Sequence, residues 1–276
     1  MSTFTRRREE HRESLVRFLA SFQPLALLVE SAGNVGDSLI REGTRHMLAD
    51  AGLPYMEVSR ELHAGEPSPH TLLVRGCGGY DRHFHRFMPD IVSRASSLYR
   101  AVIILPSSFD PRQPEVTQCL EKQNVYAIAR DMQSYKALTP FGRRRVSMDC
   151  AVYHRRFTAD PRVDGPSGSV GEFLLVLRRD KVSPLRGRGL EPDGALNDDI
   201  SITSPDVDTW LDRIARAGEV VTDRLHVALA ASLMGKKIVM VDPYDRKLSE
   251  YMAFVFEDEL SGRMEVRDVD WLVARG

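Results

Sequence analysis

Residues 220–241, VVTDRLHVALAASLMGKKIVMV, run from a short apolar stretch through a helical apolar spacing into a second apolar stretch, and few folds accommodate that order. Val220–Val221 and Ile238–Val241 read as buried strands of a parallel sheet, with Arg224–Met234 between them as a packed helix. This βαβ unit commits the chain to an α/β fold. Thr222 or Asp223 is expected to cap the helix and Gly235 to end it. Asp223, Arg224 and His226 then crowd the turn where strand gives way to helix. Ligands of open α/β sheets bind at that carboxyl edge, and the free N–H groups of a helix start favour anions there. The alternative is that Arg224 pairs with a nearby carboxylate and His226 is a satisfied, half-buried residue.

The same rhythm recurs upstream. Arg6–Phe22 carries Leu15, Val16, Phe18 and Leu19 at helical spacing. Glu9, Glu10 and Glu13 behind the arginines at 6–8 favour a solvated helix packed on the body over a lipid-binding one. LALLVE reads as a first strand, SAGNVGD as a loop, and Ser38–Ala51 as a helix with Leu39, Ile40, Met47 and Leu48 inward. Gly33 and Gly36 suit a tight turn or a close approach to ligand, while Asn34 and Asp37 bind groups or cap the helix. Neither GxGxxG nor GK[ST] is present, so nicotinamide and ATP chemistry are not favoured. Tyr55–Val58 and Thr71–Val74 read as strands, the second entering a loop with Gly76, Gly78 and Gly79 and then Tyr80, Asp81, Arg82, His83 and His85. Asp81, His83 and His85 do not converge on one face, so no metal site is expected. Ala101–Leu105 ends in PSSFD. Val125–Ala129 ends in Arg130, beside a helix Asp131–Leu138 that contains Ser134. Arg130 can fork onto a carboxylate or phosphate, or pair with Asp131 or another acid. MDCAVYH reads as the last strand of this half.

Residues 155–170 form the best linker, which gives domains 1–155 and 156–276, with the last helix able to pack back on the first. The second half opens with Glu172–Leu177 as a strand leading to Arg178, Arg179 and Asp180. A Pro/Gly-rich loop to Asn197 follows, long enough for a functional flap. Asp198–Thr203, a helix Pro205–Ala217 with Trp210, Leu211 and Ile214 inward, the βαβ unit and a helix Arg246–Phe254 complete it, before a tail with Trp271 and Leu272. Strands feeding ligand loops at one edge in each half predict two Rossmann-like domains facing across a cleft, as in GT-B glycosyltransferases. A formal net charge of −1 offers no global attraction for nucleic acid. Cys77, Cys119 and Cys150 lack a CxxC spacing, which argues against a disulfide framework or structural zinc and for a reducing compartment. Leu25–Val29 is too short to span a bilayer, so a cytoplasmic protein is expected.

The string TDRLHVALAA, followed by a strand and DPYDRK, resembles the C-terminal signature of the polysaccharide pyruvyltransferase family, in which an Arg-Leu-His triplet opens a helix at the active site. Here the triplet is Arg224, Leu225 and His226. Gly33, Asn34, Gly36 and Asp37 are similar to the family's Gly-Asn-x-Gly-Asp element. The loop at 76–79 resembles its glycine-rich loop, with Cys77 where glycine is usual. Pro106–Asp110 resembles the Pro-x-Ser/Thr element, Arg130 with Ser134 the Arg-Asp-x-x-Ser element, and Asp149 with Ala151 the Asp-x-Ala segment. The resemblance runs from about Ser31 through Lys247.

It implies a GT-B-like fold and transfer of the carboxyvinyl carbons of phosphoenolpyruvate to a sugar, usually as a cyclic ketal, with phosphate leaving and no cofactor or metal. Arg130 and Arg224 would hold the donor's charges and His226 would protonate its methylene, while Asp37 or Asp81 takes the sugar hydroxyl proton. Ser134, Leu225, Gly33, Asn34, Gly36, Gly78 and Gly79 would shape the donor site. The implied acceptor is a saccharide of an exopolysaccharide or its lipid-linked precursor at the inner membrane surface, with the protein cytoplasmic or peripheral there and an oligomer compatible. The alternatives are a nucleotide-sugar glycosyltransferase on the same fold and a non-catalytic scaffold of polysaccharide assembly. Arg130, Arg224 and His226 together speak against the scaffold.

Overall fold

The structure is a computed structural model and describes residues 2–29, 33–59, 66–81, 87–157, 172–180, 183, 197–242, 247–257, 259 and 262–273. Outside these lie His83 and His85 of the glycine loop, 158–170 of the expected linker, 184–196 of the expected flap, and Arg246, the expected start of the last helix. The chain divides into two compact units. One comprises Arg6–Ala32 and Ile40–Arg155; the other comprises Met1–Thr5, Gly33–Leu39 and Arg156–Gly276.

The first unit holds a six-stranded parallel sheet in the order β2-β1-β3-β4-β5-β6. Its strands are β1 (Leu25–Leu28), β2 (Tyr55–Val58), β3 (Ser68–Val74), β4 (Tyr99–Ser107), β5 (Val125–Ala129) and β6 (Arg144–Val146). β1 is buried throughout and β4 almost throughout, which is why the central strands read as continuous apolar runs instead of alternating ones. One face packs Ala26, Leu28, Leu72, Val74, Val102 and Ile104 against helices α3 (Phe87–Ser96) and α4 (Pro114–Leu120). Successive strand residues point to opposite faces, and Leu25, Leu27, Leu73 and Ile103 are buried as well. So are Leu15 and Leu19 of α1 (Thr3–Ala20), and Ile40, Met47 and Leu48 of α2 (Val35–Asp50). The strand order reverses between β1 and β3, and the loop that follows β3 opens at this switch point.

The second unit holds a parallel sheet of four strands, β10-β9-β8-β7. These are β7 (Glu172–Val176), β8 (Ala217–Thr222), β9 (Lys237–Val241) and β10 (Met264–Arg267). α6 (Ile200–Thr203) and α7 (Val207–Arg216) precede β8, and α8 (Leu225–Leu233) joins β8 to β9. α9 (Lys247–Phe256) and α10 (Val269–Val273) flank β10. α7 starts on Asp206, whose carboxylate accepts from Thr209 N at 2.7 Å, and it buries Trp210, Leu211 and Ile214. α8 is apolar on every side, and all its residues from Val227 to Leu233 are buried. Gly235, at φ +70°, takes the left-handed turn that follows its end.

Several sequence expectations are corrected. MDCAVYH is not a strand: Cys150–Tyr153 winds into a 3-10 turn because Asp149 accepts from Ala151 N at 2.9 Å, and the last strand is Arg144–Val146. α2 begins at Val35, so Gly36 and Asp37 lie in its first turn and not in a preceding loop. The tail adds a fourth strand and a short helix around Trp271 and Leu272. Neither Thr222 nor Asp223 caps α8; Arg224 occupies that position, without a side-chain capping bond.

Gly43 lies within α2, where alanine would ordinarily add about 1 kcal/mol of stability. A Cβ there would sit 2.0 Å from the Cys150 carbonyl oxygen, so helix and 3-10 turn touch backbone to backbone. Gly43→Ala is therefore expected to destabilise by about 1–3 kcal/mol. Gly142→Ala, with nothing within 4 Å of its Cβ, should be nearly neutral. Equilibrium urea unfolding compares them, and equal midpoints would refute the contact.

Candidate active site

At the end of β8, the Thr222 hydroxyl donates to Val176 O at 2.7 Å and accepts from Arg224 N at 3.0 Å, which locks the turn into α8. Arg224 is 6% exposed and points its Nε to Asp199 Oδ1 at 2.6 Å, with Nη2 on Asp199 Oδ2. Asp180 lies 3.6 Å from the same Nη2 and also receives the fork of Arg178, whose Nη2 donates to Asp180 Oδ2 at 2.9 Å. Asp199 takes a further bond from Arg179 N at 3.2 Å. The Asn197 side chain accepts from Leu177 N at 2.8 Å and donates to Leu177 O at 3.1 Å, continuing the pairing beyond β7. Asp223 is 2% exposed, with Oδ1 accepting from Arg178 N at 2.8 Å. Burial raises its carboxyl to about 7, reinforced by Asp199 and opposed by the Arg178 N–H and by the Arg178 and Arg224 charges.

The Gly33–Leu39 segment groups with this unit, and its motif resolves residue by residue. Gly33 has φ +126°, and a Cβ there would lie 2.4 Å from Asp37 Oδ2, so no other residue fits. Asn34 caps α2: its Oδ1 accepts from Gly36 N at 2.8 Å while Asp37 Oδ2 accepts from Asn34 N at 3.0 Å, a reciprocal capping box. Capping, the simpler of the two roles expected for Asn34 and Asp37, is thus occupied. A Cβ on Gly36 would stand 2.9 Å from His226 Nδ1 and 3.1 Å from His226 Cβ. The first turns of α2 and α8 therefore meet at Gly36 and the half-buried His226. Leu225, also half-buried, is the first residue of α8.

In the other unit, Arg130 is 3% exposed and donates from Nε to Ser108 Oγ and from Nη1 to Asp149 Oδ2, both at 2.9 Å. Its acidic partner is Asp149; Asp131 is engaged otherwise. Asp131 caps α5 (Met132–Ala137) by accepting from Ser134 N at 2.6 Å, and also accepts from the hydroxyls of Ser134 and Ser108, each at 3.0 Å. Ser134 Oγ in turn accepts from Phe109 N at 2.9 Å, so its hydroxyl is taken up in joining α5 to the loop after β4. Within the glycine loop, a Cβ on Gly76 would meet Pro106 O at 2.3 Å and one on Gly79 would meet Met88 Cγ at 2.5 Å. Gly78 alone of the three borders charged side chains: its Cβ would lie 3.7 Å from both Arg130 Nη2 and Asp81 Oδ2.

Of the residues singled out from sequence, Gly33, Asn34, Gly36, Asp37, Arg224, Leu225 and His226 share one unit; Gly78, Gly79, Asp81, Arg130 and Ser134 share the other. Sequence reading missed the carboxylates that hold the arginines. Asp199 lies 25 residues before Arg224 and Asp149 lies 19 after Arg130, separations that carry no local periodicity. It also passed over Asp223 as a titrating group, although a carboxyl at a strand end beside the triplet was a visible signal. Among the described residues, no group of three or more His, Cys, Asp or Glu could hold a metal ion.

Comparison with known proteins adds to this geometry. Among curated proteins none matches significantly. A crystal structure of a functionally uncharacterised protein from Klebsiella pneumoniae subsp. pneumoniae NTUH-K2044 superposes with a TM-score of 0.70 at 16% identity, over 97% of this chain and 99% of that one, which is a likeness of fold. The family model for polysaccharide pyruvyl transferase matches residues 34–245, an interval that opens on the cap of α2 and includes both arginine clusters and the whole of α8. The chain belongs to the polysaccharide pyruvyl transferase family.

Proposed function

We propose that this transferase moves the carboxyvinyl carbons of phosphoenolpyruvate onto a saccharide, closing a pyruvate ketal across two hydroxyls and releasing phosphate. The observation that carries the reading is the meeting of two helix starts at Gly36 and His226. Each helix presents a positive end, and α8 has no side-chain cap for its first N–H groups, so an anion between them relieves mutual repulsion. A donor with a carboxylate and a phosphate meets that need.

The proposed chemistry assigns His226 to protonate the methylene carbon, which makes the neighbouring carbon electrophilic. The sugar hydroxyl oxygens bond to that carbon as its bond to the phosphate oxygen breaks. Of the two hydroxyl protons, one balances that given to the methylene and one leaves with phosphate. Asp37, in the same helix turn as Gly36, is the proposed acceptor of a hydroxyl proton, with Asp81 the other carboxylate in view. With Nε and Nη2 of Arg224 held by Asp199, Nη1 is the donor assigned to the ligand. The proposal includes a second cation for the donor, Arg130, through the Nη2 that borders Gly78. It carries with it the two-domain GT-B-like arrangement implied by the family. The acceptor would be a sugar of an exopolysaccharide or its lipid-linked precursor, met in the cytoplasm or at the inner membrane surface. No helix among the described residues is long and apolar enough to cross a membrane.

Calorimetric titration of phosphoenolpyruvate against uridine and guanosine nucleotide sugars tests the donor. Binding of nucleotide sugars alone would transfer the protein to glycosyl transfer, and binding of neither would favour a scaffold. His226→Gln keeps hydrogen-bonding capacity and loses proton donation. Single-turnover rates should fall by roughly 10²–10⁴ with little change in donor affinity, and a near wild-type rate would remove His226 from the chemistry. Gly36→Ala should cost some stability, since its Cβ crowds the Asn34 cap and His226 Cβ, and should lower turnover by displacing the imidazole. Full activity there would contradict the contact between the two turns. Arg224→Ala should cost about 3–5 kcal/mol of stability, because it strands Asp199 in the interior. The double variant Arg224→Met with Asp199→Leu should regain the fold but still bind donor more weakly by roughly 1.5–3 kcal/mol. Normal affinity in that double variant would reject Arg224 as a donor ligand.

A further inference from the structure

We propose that Asp223 takes up a proton when the phosphorylated donor binds, as a positioning residue that sets the charge of the strand-edge cluster beside the Arg-Leu-His turn. This rests on the donor reading above.

Charge count around Asp223 comes first. Arg178 has its own carboxylate in Asp180, and Arg224 has its own in Asp199. Asp223 therefore faces two cations that are each already ion-paired, together with the acid Asp199, so among the described residues its own ionised form has no arginine to itself. Satisfaction comes second. Asp223 Oδ1 accepts from Arg178 N, whereas Oδ2 is buried with no hydrogen-bond partner among the described residues. An ionised carboxylate oxygen in that setting is costly, and a proton on Oδ2 converts it into a neutral donor. Position comes third. Asp223 adjoins Arg224, the cap residue of α8, so an anion at that helix start brings further negative charge to the same turn. Among the described residues the charges acting on Asp223 are Arg178, Arg224 and Asp199, and burial outweighs the two arginines in holding its carboxyl near neutrality. Arrival of a phosphorylated anion pushes the balance toward the protonated form, and departure of phosphate releases the proton to solvent.

A carboxyl held above its ordinary value in the folded state binds more protons there than in the unfolded chain, so it lowers stability as pH rises through about 7. Asp223→Asn keeps an acceptor for Arg178 N and removes this loss. The variant's Tm relative to wild type should therefore be higher at about pH 8 than at about pH 5.

Titration of phosphoenolpyruvate in two buffers of different ionisation enthalpy measures net proton uptake. Wild type should take up protons, and its affinity should weaken as pH rises above neutrality. Asp223→Asn should take up fewer protons and lose most of that slope. If it fails to fold, Asp223→Ser serves the same comparison. Equal uptake and equal slopes in variant and wild type would overturn the proposal and leave the donor reading standing. Absence of phosphoenolpyruvate binding to wild type overturns the donor reading and the coupling with it, while the stability profile still reports whether Asp223 titrates.

Discussion

The buried pair between Arg224 and Asp199 is the constraint on which the strand edge of the second unit depends. Desolvating both ions is costly, and the two-bond geometry offsets that cost only if the guanidinium is fixed in one direction. Asp199 also takes the backbone of Arg179, and Asn197 ties the same stretch to Leu177, so the acid is held as firmly as the base. α8 completes the arrangement. A helix buried on every side can meet a ligand only at its ends, and its first turn is the one that carries a half-buried imidazole.

How much of this was legible depends on the range of the interaction that decides it. The βαβ unit at 220–241 was readable because strands buried on both faces leave continuous apolar runs and a buried helix leaves an apolar stretch of a different length. CAVY was misread because an apolar run looks the same extended or wound. Asp149, accepting from Ala151 N, decides for the turn, and Gly43 lets α2 lie against it. Arg144–Val146 is too short and too charged to be seen as a strand before β5 is there to pair with it. The cap of α8 was misassigned because Thr222 turns its hydroxyl to Val176, a partner 46 residues away, which leaves Arg224 at the helix start. The ion-pair partners were invisible for the same reason. The glycines were conspicuous, but their separate tasks became apparent only with neighbours: Gly33 for its backbone and Asp37, Gly76 and Gly79 for close packing, Gly36 and Gly78 for space beside His226 and Arg130.

The paired arginines also show why a fork of donors differs from a point charge. At Arg130 and at Arg224, two guanidinium nitrogens are anchored by hydrogen bonds, and the planar group thereby fixes the direction of the third. A lysine at either position would keep the charge and lose the direction.

The second unit is assembled from three stretches of chain, and that has a consequence for its birth on the ribosome. Phe4, 1% exposed, stacks on Phe256 with ring centroids 5.0 Å apart, and its backbone N–H donates to Glu259 at 3.1 Å. The ring of Phe4 is thus synthesised long before the partner it stacks on. At roughly 5–20 residues per second, Phe4 stays uncovered for on the order of tens of seconds during synthesis, and Gly36 likewise awaits His226. The first unit's sheet is fully translated in that interval, whereas the second cannot close until the C-terminal strands emerge and gather the segments left waiting.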